Sequence, residues 1–316
     1  MEKTFDVICM GEICQDMLMS GISLDELVRP GGTAIADEYI SALGGDAANE
    51  ASVLSRLGNR VAFLGRTGTD SQGDFLVDSL KRAGVDTSLV IRKEGCHNII
   101  SVCVTKTDHS HSFLVVKGTD ALLTFSDVDL SAFAKTRALC IGSLYDLGDL
   151  ELNGLDQVVM AAKQGGALVF ADMNYDMDGH GNRLFDPLYQ YIDYLIPSSE
   201  EGMYVTGKET PEDIAKDLLA KGAGNVLIKL GADGSYFENA TEHFYTPAYS
   251  ITPVNTIGCG DNFASGFVHS ILRGASHQDA VRFGTACGAL NALDLAASRN
   301  VRSEQQVLDF IKSREA

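Results

Sequence analysis

The chain has no stretch approaching about 18 consecutive apolar residues, which removes a membrane-spanning helix from consideration. It is also short of positive charge, with 25 Lys and Arg against 43 Asp and Glu, for a formal net charge of −18. A surface that acidic repels phosphate backbones and anionic lipid, so neither nucleic acid nor a membrane is expected as a partner. A site inside an acidic protein can still be locally positive. No C-x-x-C pair occurs, which argues against zinc or dithiol chemistry. The seven cysteines, Cys9, Cys14, Cys96, Cys103, Cys140, Cys259 and Cys287, are odd in number, and several lie in apolar runs where a thiol behaves as a small hydrophobe. The opening Met-Glu-Lys-Thr-Phe-Asp lacks the long apolar core of a signal peptide. A soluble, reduced, cytoplasmic protein is therefore expected. Three further motifs are missing. Without G-x-x-x-x-G-K-[ST] the chain is not a P-loop NTPase; without G-x-G-x-x-G after the first strand it lacks the usual dinucleotide site; without G-x-S-x-G it lacks a nucleophile elbow.

What is present is ordinary globular composition, 45% hydrophobic and 22% charged over 316 residues, enough to bury a sizeable core. Apolar runs at 7–10, 61–65, 138–141, 167–171, 194–196 and 226–230 read as strands. Helical patterns at 46–57, 157–163, 211–220 and 261–272 alternate with them. That alternation predicts a doubly wound, mainly parallel α/β sheet with helices on both faces. Further helices are expected at 277–297 and 303–312, and a hairpin at 235–245. Two segments break the rhythm: 18–42, with Gly21, Pro30, Gly31 and Gly32, and 98–116, whose arms 99–105 and 112–116 flank a polar turn. They are expected to form a small β-rich lid as excursions from one domain spanning 1–316. His109 and His111 fall in that polar turn, where solvated histidines are expected rather than a metal site.

Ligands in such folds collect at the carboxyl ends of the strands, and three glycine-rich segments sit where those ends are expected. In Gly44-Gly45-Asp46-Ala47-Ala48-Asn49, the glycines allow a tight turn and either serve only that turn or admit a ligand against bare backbone. Asp46 would cap the following helix, with Asn49 one turn in. Asn255-Thr256-Ile257-Gly258-Cys259-Gly260-Asp261 runs straight into an apolar helix. Free backbone N–H groups there form a nest for anionic oxygen. Asp261 beside it is a general base next to an electrostatic stabiliser, which phosphoryl transfer requires; otherwise it is only a helix cap. Lys229-Leu230-Gly231-Ala232-Asp233-Gly234 is either an ordinary turn or a bare-backbone surface for a ring or phosphates.

Together these segments resemble the PfkB/ribokinase family of carbohydrate kinases. The resemblance runs from Val7 to about Val301, through Gly44-Gly45-x-x-x-Asn49-x-Ala51, Gly65-x-x-Gly68-x-Asp70-x-x-Gly73 and Asn255-Thr256-x-Gly258-Cys259-Gly260-Asp261. It implies a ribokinase-like fold with a lid that often forms a dimer interface. The activity it implies is ATP- and Mg²⁺-dependent phosphorylation of a small sugar or sugar derivative, here a sugar or sugar acid. By the same resemblance Asp261 is the base and Gly258, Cys259 and Gly260 the anion hole. Asp16, Gly44, Gly45 and Asn49 hold substrate, Lys229, Gly231 and Gly234 lie beside the nucleotide, and Glu201 stands near Mg²⁺. Lys117 is expected to face the substrate and pair with a sugar-acid carboxylate. Asn255 replaces the usual Asp, putting potassium activation in doubt; Ser198 replaces Asn, Cys259 replaces Ala and invites thiol sensitivity, and Asp176 replaces Arg. A nucleoside kinase of the same family, or a weakly catalytic sugar-binding regulator, are the other readings.

Overall fold

The computed structural model describes residues 3–22, 29–106, 111–294 and 297–315. The chain begins with β1 (Phe5–Met10), β2 (Cys14–Ile22), β3 (Glu38–Gly44) and helix α1 (Asp46–Arg56). β4 (Val61–Leu64) and β5 (Arg66–Gly68) lead to α2 (Ser71–Arg82), then β6 (Ile91–Lys93), β7 (Ile99–Lys106) and β8 (His111–Val116). The middle of the chain comprises β9 (Thr136–Leu144), α3 (Asp149–Leu152), α4 (Leu155–Gln164), β10 (Leu168–Met173), β11 (Tyr194–Ile196), α5 (Ser199–Thr206), α6 (Pro211–Ala220) and β12 (Asn225–Lys229). Last come the hairpin β13 (Ser235–Asn239) and β14 (His243–Thr246), and helices α7 (Cys259–Leu272), α8 (His277–Asn291) and α9 (Glu304–Glu315).

The main sheet has eight strands in the order β14-β13-β12-β11-β10-β9-β1-β4, parallel from β4 to β12 and antiparallel at the hairpin edge. Its central strands are apolar on both faces because helices cover both, as the continuous apolar runs demand. Alternate residues go to opposite cores. Ile8, Met10, Leu139, Ile141 and Val169 pack with Val158 and Val159 of α4 and Leu218 of α6. Val7, Cys9, Ala138, Cys140 and Phe170 pack with Ala48 and Leu54 of α1 and Phe263 and Phe267 of α7. The doubly wound α/β expectation holds.

A second sheet, β3-β2-β7-β8, is built from the two segments that lacked helical rhythm; β2 pairs parallel with β7 and antiparallel with β3. One face buries Leu18 and Cys103 against Ile40 and Ile257, while Tyr39, Leu114 and Val116 on the other face, and Phe113 and Val115 of the edge strand β8, remain exposed, Leu114 at 65%. His109 lies outside the described residues. No helix among the described residues is long and apolar enough to cross a membrane.

Two predicted bounds are corrected. The helix expected over 277–297 ends at Asn291. The Asn291 side chain accepts from the Ser298 N–H at 2.9 Å and donates to the Ile257 carbonyl at 2.7 Å, so it ties together the two segments that flank the helix end. The helix expected from Asp261 starts at Cys259, because Gly258 takes the cap position at φ 71°, a left-handed conformation suited to glycine.

Candidate active site

Side chains converge where β1, β9, β10, β11 and β12 end. Asp261 lies in the first turn of α7 and is buried. Its Oδ2 accepts a 2.7 Å hydrogen bond from Asn49 Nδ2, and Asn49 Oδ1 accepts in turn from Ser298 Oγ at 3.0 Å. Burial first, then repulsion from Asp46 and Asp172, push the Asp261 carboxyl well above the usual range; Asn49 and Lys229 pull it back. Such a carboxyl holds its proton more tightly than a solvated Asp.

Gly258, Gly260 and Asp261 bring first-turn N–H groups together, and these have no intrahelical acceptor. The Cys259 amide, expected in the anion hole, donates to the Thr256 carbonyl at 3.2 Å and closes the turn before the helix. Its thiol is also quieter than expected, since burial pushes it up to about 11 and keeps it protonated. Lys229 Nζ lies 3.4 Å from where a Gly260 Cβ would sit, adding positive charge beside the nest.

Lys229 was expected beside a nucleotide; the structure commits it to Asp172, whose carboxylate oxygens accept at 2.5 and 2.6 Å. Attraction to Asp172, Glu201 and Asp261 overcomes burial and raises its ammonium above the usual range. Gly231 and Gly234 form the turn that follows. Gly234, at φ 95°, passes so close to β14 that a Cβ would stand 2.0 Å from the Thr246 carbonyl, so its glycine serves the hairpin.

On the opposite side, Asp16 on β2 is buried, and Cys14 Sγ donates to its Oδ1 at 3.5 Å. Burial lifts its carboxyl to about 6. Gly44 is required by this carboxylate, since a Cβ would come within 2.3 Å of it. Gly45 holds φ 91° and packs on the Glu12 carbonyl, where a Cβ would be 2.7 Å away. Asp46 does not cap α1: Gly45 occupies the cap position, and the Asp46 carboxylate is taken by the Ser143 hydroxyl.

Glu201 Oε2 accepts from the Ser198 N–H at 2.6 Å while Ser198 Oγ accepts from the Glu201 N–H at 3.2 Å. This capping box explains why Ser at 198 is tolerated. Burial lifts Glu201 to about 7, with Lys229 opposing and Asp172 adding to the rise. Asp172, Glu201 and Asp261 thus form a set of hard oxygen donors, with Asp172 repelling both partners. That set suits Mg²⁺, which takes one or two carboxylates and completes its shell with phosphate oxygens and water. Among the described residues the trio close enough to hold an ion unaided is instead Cys9, Glu50 and Cys140, buried between β1, α1 and β9.

Lys117 is not brought to this cluster. It pairs with Asp178 at the surface, both about half exposed, because the chain leaves β8 outward and the 174–187 loop supplies an acid there. Asp176 likewise serves its own loop, accepting from the His180 and Gly181 N–H groups at 2.9 and 2.7 Å. Sequence reasoning assigned no role to Asp172, Glu12, Asp146 or Ser298. Asp172 carried a legible signal, since it directly follows the apolar run at 167–171. Glu12 and Asp146 share a hydrogen bond, and burial raises them to about 7 and about 9. That meeting of two loops has no local signature.

The model of the pfkB family carbohydrate kinases matches residues 5–303. The 2-dehydro-3-deoxygluconokinase of Bacillus subtilis is 30% identical over 305 residues, covering 90% of each chain. The ribokinase of Haemophilus influenzae is 27% identical over 318 residues, covering 99% of each. A ribokinase II candidate of E. coli, solved in complex with ATP and Mg²⁺, superposes with a TM-score of 0.84 over 99% of this chain and 100% of that one, at 20% identity.

Proposed function

The chain belongs to the pfkB family of carbohydrate kinases, and on that premise we propose that it transfers the γ-phosphate of ATP to a hydroxyl of a small sugar or sugar acid, with Asp261 as base. The observation that carries the assignment is the pairing of Asp261 with Asn49 at 2.7 Å in the first turn of α7, beside bare amides and the Lys229 ammonium. Asp261 takes the proton of the attacking hydroxyl. The amides of Gly258, Gly260 and Asp261, with the helix dipole behind them, take up charge that develops on the transferred phosphoryl group. Asp172 and Glu201 would hold Mg²⁺, which supplies charge neutralisation between the phosphates when bound. Gly231, with open space where a Cβ would sit, leaves the backbone after β12 accessible to the nucleotide, while Gly234 shapes the turn beside it. Asp16, Gly44 and Gly45 orient substrate hydroxyls, and the four-stranded sheet carrying Asp16 closes as a lid that excludes water.

The exposed apolar side chains of that sheet, Tyr39, Leu114 and Val116 on one face with Phe113 and Val115 on the edge strand's other side, support a homodimer through the lid. Seven free thiols support work in the reducing cytoplasm. The names of the relatives include kinases of a sugar acid and of ribose. Lys117, paired with Asp178, supports only weakly the reading that it recognises a carboxylate, and the choice between neutral and acidic substrate falls to experiment. ADP release with Mg-ATP across aldoses, ketoses, sugar acids and nucleosides, with and without K⁺, tests the reading. Turnover on a sugar or sugar acid is expected. Turnover confined to nucleosides overturns the substrate class, and ATP binding without turnover on any of them overturns the activity.

A further inference from the structure

Glu50 follows Asn49 on α1 and is only 4% exposed. Its Oε2 is buried and has no hydrogen-bond partner among the described residues. Burial first, then repulsion from Cys140, Asp172, Asp261 and Asp46, raise its carboxyl well above the usual range. Taking up a proton does not resolve the conflict, because a neutral carboxyl carries an O–H donor that needs an acceptor. An unpaired polar group in a core is costly, and a cation is the remaining way to satisfy it.

The side chains that meet Glu50 are two thiols. Cys9 of β1 and Cys140 of β9 are partners in the parallel register, and both are buried. One donor atom from each of Cys9, Glu50 and Cys140 lies within 4.8 Å of the other two. Ala48, Ala51, Phe170 and Phe267 belong to the same apolar cluster, so the trio sits in a dry surround. Ser265 of α7 donates to the Glu50 backbone carbonyl at 3.4 Å and steadies this turn of α1. Two thiolates and one carboxylate suit zinc, whereas Mg²⁺ and Ca²⁺ take oxygen donors. Zinc bonds of about 2.0–2.3 Å put tetrahedral donors about 3.5–3.8 Å apart, so the trio needs to close by about 1 Å. A disulfide between the thiols would leave Glu50 Oε2 unsatisfied; a metal ion engages all three groups.

We propose that Cys9, Glu50 and Cys140 form a buried structural zinc site that fastens α1 to β1 and β9, with a water molecule as the fourth donor. Without metal, burial raises both thiols and keeps them protonated. Binding therefore displaces one proton from each thiol and one from the carboxyl, and zinc keeps its oxidation state. The site is distinct from the Asp172, Glu201 and Asp261 set, and it does not depend on Asp261 being the base.

Zinc alone is the first probe, equilibrated overnight with enzyme in excess Mg²⁺ so that oxygen-donor sites are filled. Wild type should retain one zinc per chain through gel filtration and melt at a higher temperature than the zinc-free protein. Cadmium is the second probe, because its thiolate complexes have an ultraviolet charge-transfer band that its carboxylate complexes lack. The band should appear in wild type and in Cys287→Ala, a control for buried thiols elsewhere. It should be lost in Cys9→Ala and Cys140→Ala, where alanine suits the apolar surroundings. Glu50→Gln keeps both thiols and should weaken zinc by at least the roughly tenfold lost with an outer-shell partner. No retained zinc, or no cadmium–thiolate band, in wild type overturns the site whether or not the variants fold. A band that survives Cys9→Ala and Cys140→Ala, or equal zinc affinity in Glu50→Gln, places the ion elsewhere and overturns it too. An unchanged Tm with zinc bound overturns the structural role.

Discussion

Replacing Asp16 by Asn should make the protein more stable and a worse catalyst. The carboxyl is 7% exposed, and burial lifts it from 3.8 to about 6. A carboxyl whose folded value lies above its unfolded one takes up a proton on folding. It therefore favours the folded state at low pH, and that advantage is lost as pH rises from 3.8 through about 6. At about 1.36 kcal/mol for each tenfold change in proton affinity, keeping Asp16 ionised at pH 8 costs about 3 kcal/mol, and about half of that at pH 5. Asn has the same shape, fits beside Gly44 and carries no charge to desolvate. Urea unfolding of wild type and Asp16→Asn should differ by about 3 kcal/mol at pH 8, the gap shrinking toward pH 5. In the wild type, sugar hydroxyls donating to the ionised carboxylate should make kcat/KM rise as pH passes through about 6. The variant should lose one to two orders of magnitude in kcat/KM, about 1.5–3 kcal/mol for a hydrogen bond to a charged group. A variant no more stable than wild type at pH 8 refutes the reasoning about burial. Unchanged kcat/KM refutes the placement of substrate.

The remaining predictions concern the base, the buried ion pair and one glycine. Asp261→Asn should fold and bind ATP normally while kcat falls roughly 10²–10⁴-fold; a loss under tenfold in single-turnover assays removes Asp261 as base. Asp172→Ala removes both hydrogen bonds of the Lys229 ammonium and leaves it only the charges of Glu201 and Asp261, at a cost of up to about 3–5 kcal/mol by urea unfolding, and a loss near zero means those two carboxylates or solvent take the place of Asp172. Gly234→Ala places a Cβ 2.0 Å from the Thr246 carbonyl at φ 95°, so it should destabilise by more than the roughly 1 kcal/mol of an ordinary Gly-to-Ala change. Amide exchange should show β13 and β14 parting first, and unaltered protection there would contradict the close approach.

The main sheet was legible because its strands are buried on both faces and so are written as apolar runs, and because helix and strand alternate in register with the hydrophobic period. The Gly44–Asn49 and Gly258–Asp261 segments were legible for a related reason: each concentrates its chemistry within six residues, so local spacing already describes its shape. Local spacing left the outcome open where a side chain had a choice of partners from distant segments. Asp46 could have capped α1, but Ser143 from β9 reached it first. Lys117 could have faced a ligand, but Asp178 lies beside it. Lys229 is committed to Asp172 across neighbouring strand ends, and the helix after His277 stops where Asn291 ties Ile257 to Ser298. Hydrophobic period, turn glycines and helix starts are short-range properties of a chain, and sequence alone determined them. Which carboxylate meets which amide or ammonium depends on contacts between residues up to 249 positions apart, as from Ser298 to Asn49. Those pairings, and the proton affinities that burial imposes on them, exist only once the sheet has brought its strand ends together.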